Sequence, residues 1–179
     1  MSADVSARLA WPEDASAIAR IQWAHWHSAF SDVLGQNELA EAKEADMATR
    51  WSQIISTPPD ARVRTLVALT RSTVHGFALV HPCHDPDGDE VSDGEIGEFI
   101  IDSANFGEGH GSRLLQACVD TLRADGFTRA VWWLASTDDA TRSFAESAGW
   151  APDGAHRELA NEADQTKRLK QIRLHTALA

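Results

Sequence analysis

Apolar positions recur along this chain with two periods, one near 3.6 residues and one of 2, and the switches between them mark out a run of helices and strands. Val5 to Trp11 predicts a first strand. Pro12, Glu13 and Asp14 then predict a helix start, with proline in the first turn and acids at the positive end. Ile18, Ile21, Ala24 and Trp26 give that helix its apolar stripe. Leu39, Ala42, Met47, Trp51 and Ile54 predict a second helix over about Glu38 to Ile55, which Pro58 and Pro59 end. Arg62 to Thr70 and Val74 to His81 predict a hairpin pair of strands, followed by the polar loop HDPDGDEVSDG. GEIGEFIID (Gly94 to Asp102) predicts a fourth strand, FGEGHG (Phe106 to Gly111) a glycine turn, and the residues up to Gly126 a long amphipathic helix. Ala130 to Ala135 predicts a buried fifth strand. A helix from about Asp138 to Ala148 follows, with Gly149 as its C-cap. Two strands close the chain, near Ala155 to Leu159 and Arg168 to Leu178. In the last, Ile172, Leu174 and Leu178 alternate with Arg173, His175 and Ala177, the pattern of a half-buried strand. The order predicts an α/β fold, a central mixed sheet covered by helices.

The length of 179 residues suits one domain spanning 1–179, with room for a substantial core. The net charge of -11 opposes nucleic acid as a partner, which needs a basic footprint, and modestly attracts a cationic amine. No apolar run approaches the roughly 18–20 residues that cross a bilayer, and no basic-then-apolar leader opens the chain. Cys83 and Cys118 have no framework spacing, so a reducing, cytoplasmic setting is expected and a membrane partner is not.

The chemistry concentrates after the fourth strand. Gly107, Gly109 and Gly111 let the backbone approach a ligand closely, and the next helix aims its unpaired N–H groups and positive dipole end at that turn. An anion belongs there, most naturally a phosphate.

These residues resemble the acyl-CoA-binding motif of the GNAT superfamily of N-acetyltransferases. In that family an aromatic, Arg or Gln precedes x-x-G-x-G/A and a helix of small and aliphatic residues. Here those positions read Phe106, Gly109 and Gly111, then Ser112, Leu114 and Leu115. DDATRSFAESAGW (Asp138 to Trp150) resembles the family's N-x-x-A-x-x-F-Y-E-x-x-G-F/W block. GEIGEFIID resembles its fourth strand with an early Glu, and WHSAFSDVL (Trp26 to Leu34) resembles the first helix of a bacterial stand-alone subgroup. The resemblance implies a mostly antiparallel sheet with helices on both faces and acetyl-CoA as co-substrate. The backbone of Phe99, Ile100 and Ile101 would pair with the pantetheine amides. The backbone N–H groups of Gly107, Glu108, Gly109, His110, Gly111 and Ser112 would hold the pyrophosphate; Phe106 and Phe144 would be further cofactor contacts, and Asp138 would accept a hydrogen bond from pantetheine. Trp26 and His27 lie on the helices that cover the acceptor side in the family, so they are the candidate acceptor contacts. The acceptor would be a small-molecule or peptide amine; a homodimer is left open.

The chain departs from the family at five places. Ala145 stands for the Tyr that protonates the departing sulfur, Asp138 for Asn, Glu108 for a basic residue, Ser103 and Ala104 for the strand-ending Pro, and Thr141 for a small Ala. Glu95 occupies the position where some members carry a general base; Glu98 is its rival. Residues three apart on a regular strand face opposite sides, so both reach one site only if a bulge intervenes. By its spacing Glu98 lies between Ile96 and Ile100 on an apolar face, where desolvation raises a carboxyl pKa. Glu95 is the expected base. Asp85, Asp87 and Asp89 share the first spacings of an EF-hand, but Glu90 stands for its Gly and Ile96 for its last Glu, so a solvated loop and no metal are expected. The competing expectation is an acyl-CoA-binding module with little or no transferase activity.

Overall fold

The computed structural model describes residues 4–33 and 43–178. Its strands are β1 (Val5–Leu9), β2 (Arg64–Thr70), β3 (Thr73–Pro82), β4 (Asp93–Ile101), β5 (Arg129–Ala135), β6 (Ala151–Ala160) and β7 (Arg168–Ala177). Its α-helices are α1 (Ala15–Ala29), α2 (Glu44–Ser56), α3 (His110–Ala124) and α4 (Asp139–Ser147). The part of the second predicted helix before residue 43, and Leu34, lie outside the described residues.

One sheet runs in the order β1-β2-β3-β4-β5-β7-β6. Every pairing is antiparallel except β4 with β5, the two strands that a helical crossover joins. α1 and α2 cover one face through Ile18, Ile21, Met47 and Trp51, packed on Val67, Phe77 and Ile100. α3 and α4 cover the other through Leu114, Cys118, Leu122 and Ala145, packed on Val80, Ile96, Trp132 and Leu174. The α/β class with helices on both faces is therefore as expected. Among the described residues no helix is long and apolar enough to cross a membrane.

The alternation in β7 misleads at one residue. Arg173 is 6 % exposed, not solvated, because three carboxylates surround it. Its guanidinium donates to Asp153 at 2.6 Å, to Asp87 at 2.7 Å and to Asp85 at 3.0 Å. Asp85 also accepts from the Trp133 indole at 3.0 Å. The acidic loop thus serves to clamp a buried arginine to the sheet.

Two irregularities in β4 shape everything that follows. Its pairing with β5 stops at Ile96 opposite Trp132. Beyond that point β4 stays with β3 as far as Ile101 opposite Gly76, and β5 stays with β7 as far as Ala135 opposite Gln171. The sheet opens there into a wedge. At the same place Ile96 lies opposite Val80 but Glu98 opposite Leu79, so Gly97 is an inserted bulge residue. A Cβ at Gly97 would stand 2.5 Å from His81 Nε2, so any other residue there requires the His81 ring to move.

Candidate active site

The bulge decides where the two β4 carboxylates point. Ile96 packs with α3 and α4, whereas Ile100 packs with α1 and α2, so the two isoleucines expected to share a face lie on opposite ones. The inserted residue breaks the alternation. Glu98 turns to the α1 face with Leu79, its partner on β3, and lies near enough to Gln22 for that amide to lower its pKa. Glu95 lies on that face as well, its Oε2 3.7 Å from His81 Nε2. The two glutamates therefore share a side of the sheet, Glu95 where β4 is still paired on both edges and Glu98 just past the split.

Burial pushes both carboxyls up to about 7. For Glu95 the Asp85 charge adds to the effect, while Arg157, His84 and Arg173 oppose it. For Glu98 the nearby Gln22 amide alone opposes it.

The wedge is walled by the free edges of Gly97–Ile101 and Trp133–Ala135. Backbone N–H and C=O groups on such edges take up an extended, amide-rich chain as an added strand. Phe99 lies against Trp132 and Phe144, with ring centroids 5.0 and 6.2 Å apart, and closes the floor on the α3 side. Ile100 is buried under α1 and Ile101 half-buried on the opposite side, so these three residues offer mainly backbone to the gap.

Two helix starts flank the mouth. β4 leads into the turn before α3, in which Gly107 and Gly109 have φ of +80° and +90°, with open space where a Cβ would go. The first helical bond of α3 runs from Arg113 N–H to Gly109 O at 3.2 Å, so the N–H groups of His110, Gly111 and Ser112 precede the ladder and are available to an anion. Gly111 is ordinary helix; a methyl there would touch Phe144 Cζ at 3.4 Å. Phe106 is 68 % exposed at the rim. Glu108 is turned back from the turn, its carboxylate accepting from the Asn105 amide at 3.1 Å and lying 3.3 Å from His110 Nε2. His110 itself is a correction to the sequence reading. Its ring is buried against His75 and Thr70 with Nε2 held at Glu108, so what it has available for an anion is its backbone N–H.

On the β5 side, Asp138 caps α4 by accepting from Thr141 N–H at 3.1 Å. Its charge reaches His25 near the end of α1, opposing the fall in pKa that burial gives that imidazole. Ala145 is fully buried in the α4 packing, so the position that carries Tyr in the resembling sequences points into the core. Trp26 lines a cleft of about 260 Å³ between α1 and α2, with Gln22, Lys43, Asp46, Met47, Arg50, Trp51 and Ile54. His27 does not line it: its ring stacks on Trp23 and its Nδ1 bonds the Trp23 carbonyl at 2.8 Å. Gln22, Trp51 and His81 are site residues the sequence reading missed. The one signal for Gln22 is a polar residue inside the apolar stripe, four after Ile18 and four before Trp26.

The arrangement fits a cofactor that carries an amide chain and a diphosphate. The model of the acetyltransferase (GNAT) family matches residues 17–150. Among solved structures, yncA of Salmonella typhimurium, solved with its cofactor acetyl-CoA, is 18 % identical with a TM-score of 0.73, over 98 % of this chain and 95 % of that one. An N-acetyltransferase from Staphylococcus aureus Mu50 is 16 % identical with a TM-score of 0.76, over 98 % and 99 %. A GCN5-related N-acetyltransferase from Kribbella flavida is 20 % identical with a TM-score of 0.73, over 97 % and 98 %. Among curated proteins no sequence matches. The wedge in the sheet, the glycine turn at the start of α3 and the family match over most of the chain lead to one conclusion: this chain belongs to the acetyltransferase (GNAT) family.

Proposed function

We propose that the chain transfers the acetyl group of acetyl-CoA to a primary amine by direct attack, with a β4 carboxylate accepting the amine's proton. The observation that carries the proposal is the pair of glutamates, both titrating near 7, on one face of the strand that lines the wedge. When bound, acetyl-CoA supplies an acetyl group already activated as a thioester. The free β4 edge from Phe99 to Ile101 aligns the pantetheine amides, and the N–H groups around Gly107 to Ser112 take the diphosphate. A strand N–H beside the thioester carbonyl stabilises the charge that develops on its oxygen, worth about 3 kcal/mol.

An alkyl amine with a pKa near 10.4 costs about 4.5 kcal/mol to free of its proton at neutral pH. A carboxyl titrating near 7 is matched to that task. Glu98 is the better placed of the two, next to Phe99 at the opening, and among the described residues no cation contributes to its shift. Glu95, the base expected from sequence, lies three residues deeper beside His81. The sulfur leaves as thiolate without an acid from position 145, which an ordinary thiol pKa near 8.5 permits.

The test compares CoA release over a panel of amines for wild type, Glu98→Gln and Glu95→Gln, each first shown to bind acetyl-CoA by its melting shift. Glu98→Gln is expected to lower kcat ~100-fold or more, with partial recovery at high pH, where free amine is abundant. A larger loss in Glu95→Gln moves the role there. A wild type inert across the panel, yet stabilised by acetyl-CoA, supports a binding module instead.

A further inference from the structure

The turn that leads into α3 is braced by its own acidic residue. Glu108 sits between Gly107 and Gly109, both left-handed, and its side chain folds back across the turn. One oxygen, Oε2, takes two contacts there: the Asn105 amide donates to it at 3.1 Å, and His110 Nε2 lies 3.3 Å away. A carboxylate only accepts, so the His110 ring carries its proton on Nε2 and donates it to Glu108. Thr70 Oγ1 stands 3.3 Å from the same nitrogen, and the ring packs on His75 with centroids 4.9 Å apart. The His110 side chain is fully buried while that of Glu108 is half-exposed, so the bond ties the surface of the turn to the core. The β2–β3 hairpin also holds the other end of the connection, because the His75 carbonyl accepts from Asp102 N–H at 2.7 Å.

We propose that Glu108 is a positioning residue for acetyl-CoA, closing the connection from β4 to α3 so that the N–H groups of His110, Gly111 and Ser112 stay aligned for the diphosphate. The inference rests on the reading of this turn as the diphosphate site. A basic residue at position 108, as in the resembling sequences, would act by attracting phosphate. Glu108 has the opposite charge and acts through geometry. Its carboxylate is engaged by Asn105 and His110, and its half-exposed charge is weakened by solvent and salt. The two accounts of this position disagree about a lysine there. Attraction alone predicts that Glu108→Lys tightens acetyl-CoA. The brace predicts that it loosens acetyl-CoA, because an ammonium cannot accept from Asn105 or His110.

The experiment titrates acetyl-CoA calorimetrically into wild type, Glu108→Gln, Glu108→Ala and Glu108→Lys, and measures kcat and the KM for acetyl-CoA with the best amine of the panel. Glu108→Ala is expected to weaken acetyl-CoA about tenfold, with KM raised alike and kcat held at saturation. Glu108→Lys is expected to bind more weakly than wild type despite its charge. Glu108→Gln keeps an oxygen that accepts from both donors, so it should stay within about threefold of wild type. Acetyl-CoA bound as tightly as in wild type, or more tightly, by Glu108→Lys or Glu108→Ala overturns the inference. So does a Glu108→Gln as weak as Glu108→Ala, or a kcat that falls while KM holds. Where Glu108→Lys folds poorly, Glu108→Ala against Glu108→Gln decides. The reading of the chain as a transferase fails separately, if affinity falls as expected while wild type releases no CoA with any amine. A wild type that does not bind acetyl-CoA refutes both.

Discussion

The two glycines of the α3 turn should respond in opposite ways to one methyl group. Gly109 has φ +90° and ψ 1°, a left-handed conformation that costs an L-residue about 1–2 kcal/mol, and no atom lies within 4 Å of where its Cβ would go. Gly109→Ala therefore tests backbone conformation alone. If the turn keeps its shape, the strain lowers the melting temperature by roughly 3–6 °C at this chain length. If the turn relaxes, the strain moves into ligand binding, because the relaxed N–H groups no longer converge; 1–2 kcal/mol then weakens acetyl-CoA by roughly 5- to 30-fold. Gly111 has an ordinary helical φ, and its methyl would meet Phe144 at 3.4 Å, near van der Waals contact. Alanine gains up to about 1 kcal/mol of helix propensity there, so Gly111→Ala should hold or raise the melting temperature and change acetyl-CoA affinity by no more than about threefold. Differential scanning fluorimetry with and without acetyl-CoA, plus calorimetric titration, reads both quantities. Wild-type stability and affinity in Gly109→Ala, together with a large loss in Gly111→Ala, would refute this account of the turn.

Other substitutions test other parts of the structure. Arg173→Met removes the cation shared by Asp85 and Asp153, each 9 % exposed, leaving Asp153 with Arg129 at 2.8 Å and Asp85 with Arg157 at 3.8 Å; it should cost about 3 kcal/mol by chemical denaturation. Arg173 also holds the Asp87 carboxyl down at about 2, so wild type should lose that support as pH falls from about 4 through 2, and Arg173→Met should show no such step in acid titration followed by circular dichroism. Ala145→Tyr forces a ring into a fully buried site and should destabilise by roughly 1–3 kcal/mol with no gain in turnover; an unchanged melting temperature with faster CoA release would show that the ring reaches the wedge. Folding raises Glu95 and Glu98 from 4.5 to about 7, so each contributes most below pH 4.5 and its contribution declines as pH climbs toward 7. Glu98→Gln should therefore melt several degrees above wild type at pH 8 and show little difference near pH 4.5.

Much of the fold was legible because period-2 and period-3.6 patterns report which faces are buried, and most strand and helix centres fall where those patterns put them. The glycine turn was legible too, because glycine at a strand-to-helix junction has few other uses. What the patterns could not carry was tertiary partnership. Arg173 sits on the polar side of an alternating strand, and only the acidic loop folding back over it makes that position interior. His110 looks like a surface histidine in a loop, yet Thr70 and His75 come from a hairpin 35 or more residues earlier to bury it. Gln22 reads as a flaw in an apolar stripe until Trp51 is brought to its side-chain oxygen.

The bulge at Gly97 was the feature on which the glutamate assignment turned, and no sequence period reveals an inserted residue. Its position accounts for two properties of the site at once. Parallel pairing to β5 ends at the residue before it, as expected where a bulge bends a strand and raises its twist. The same insertion moves Glu98 from the α3 side, where it would lie among Ile96, Trp132 and Phe144, to the α1 side, near Gln22. Without the extra residue Glu98 would be a carboxylate in an apolar core with no donor, at a cost of several kcal/mol. With any residue other than glycine the His81 ring would have to move, and with it the group beside Glu95. One inserted glycine thus couples the opening of the sheet to the presence of a carboxylate at the opening, so a change that closes the wedge also removes the proposed base from it.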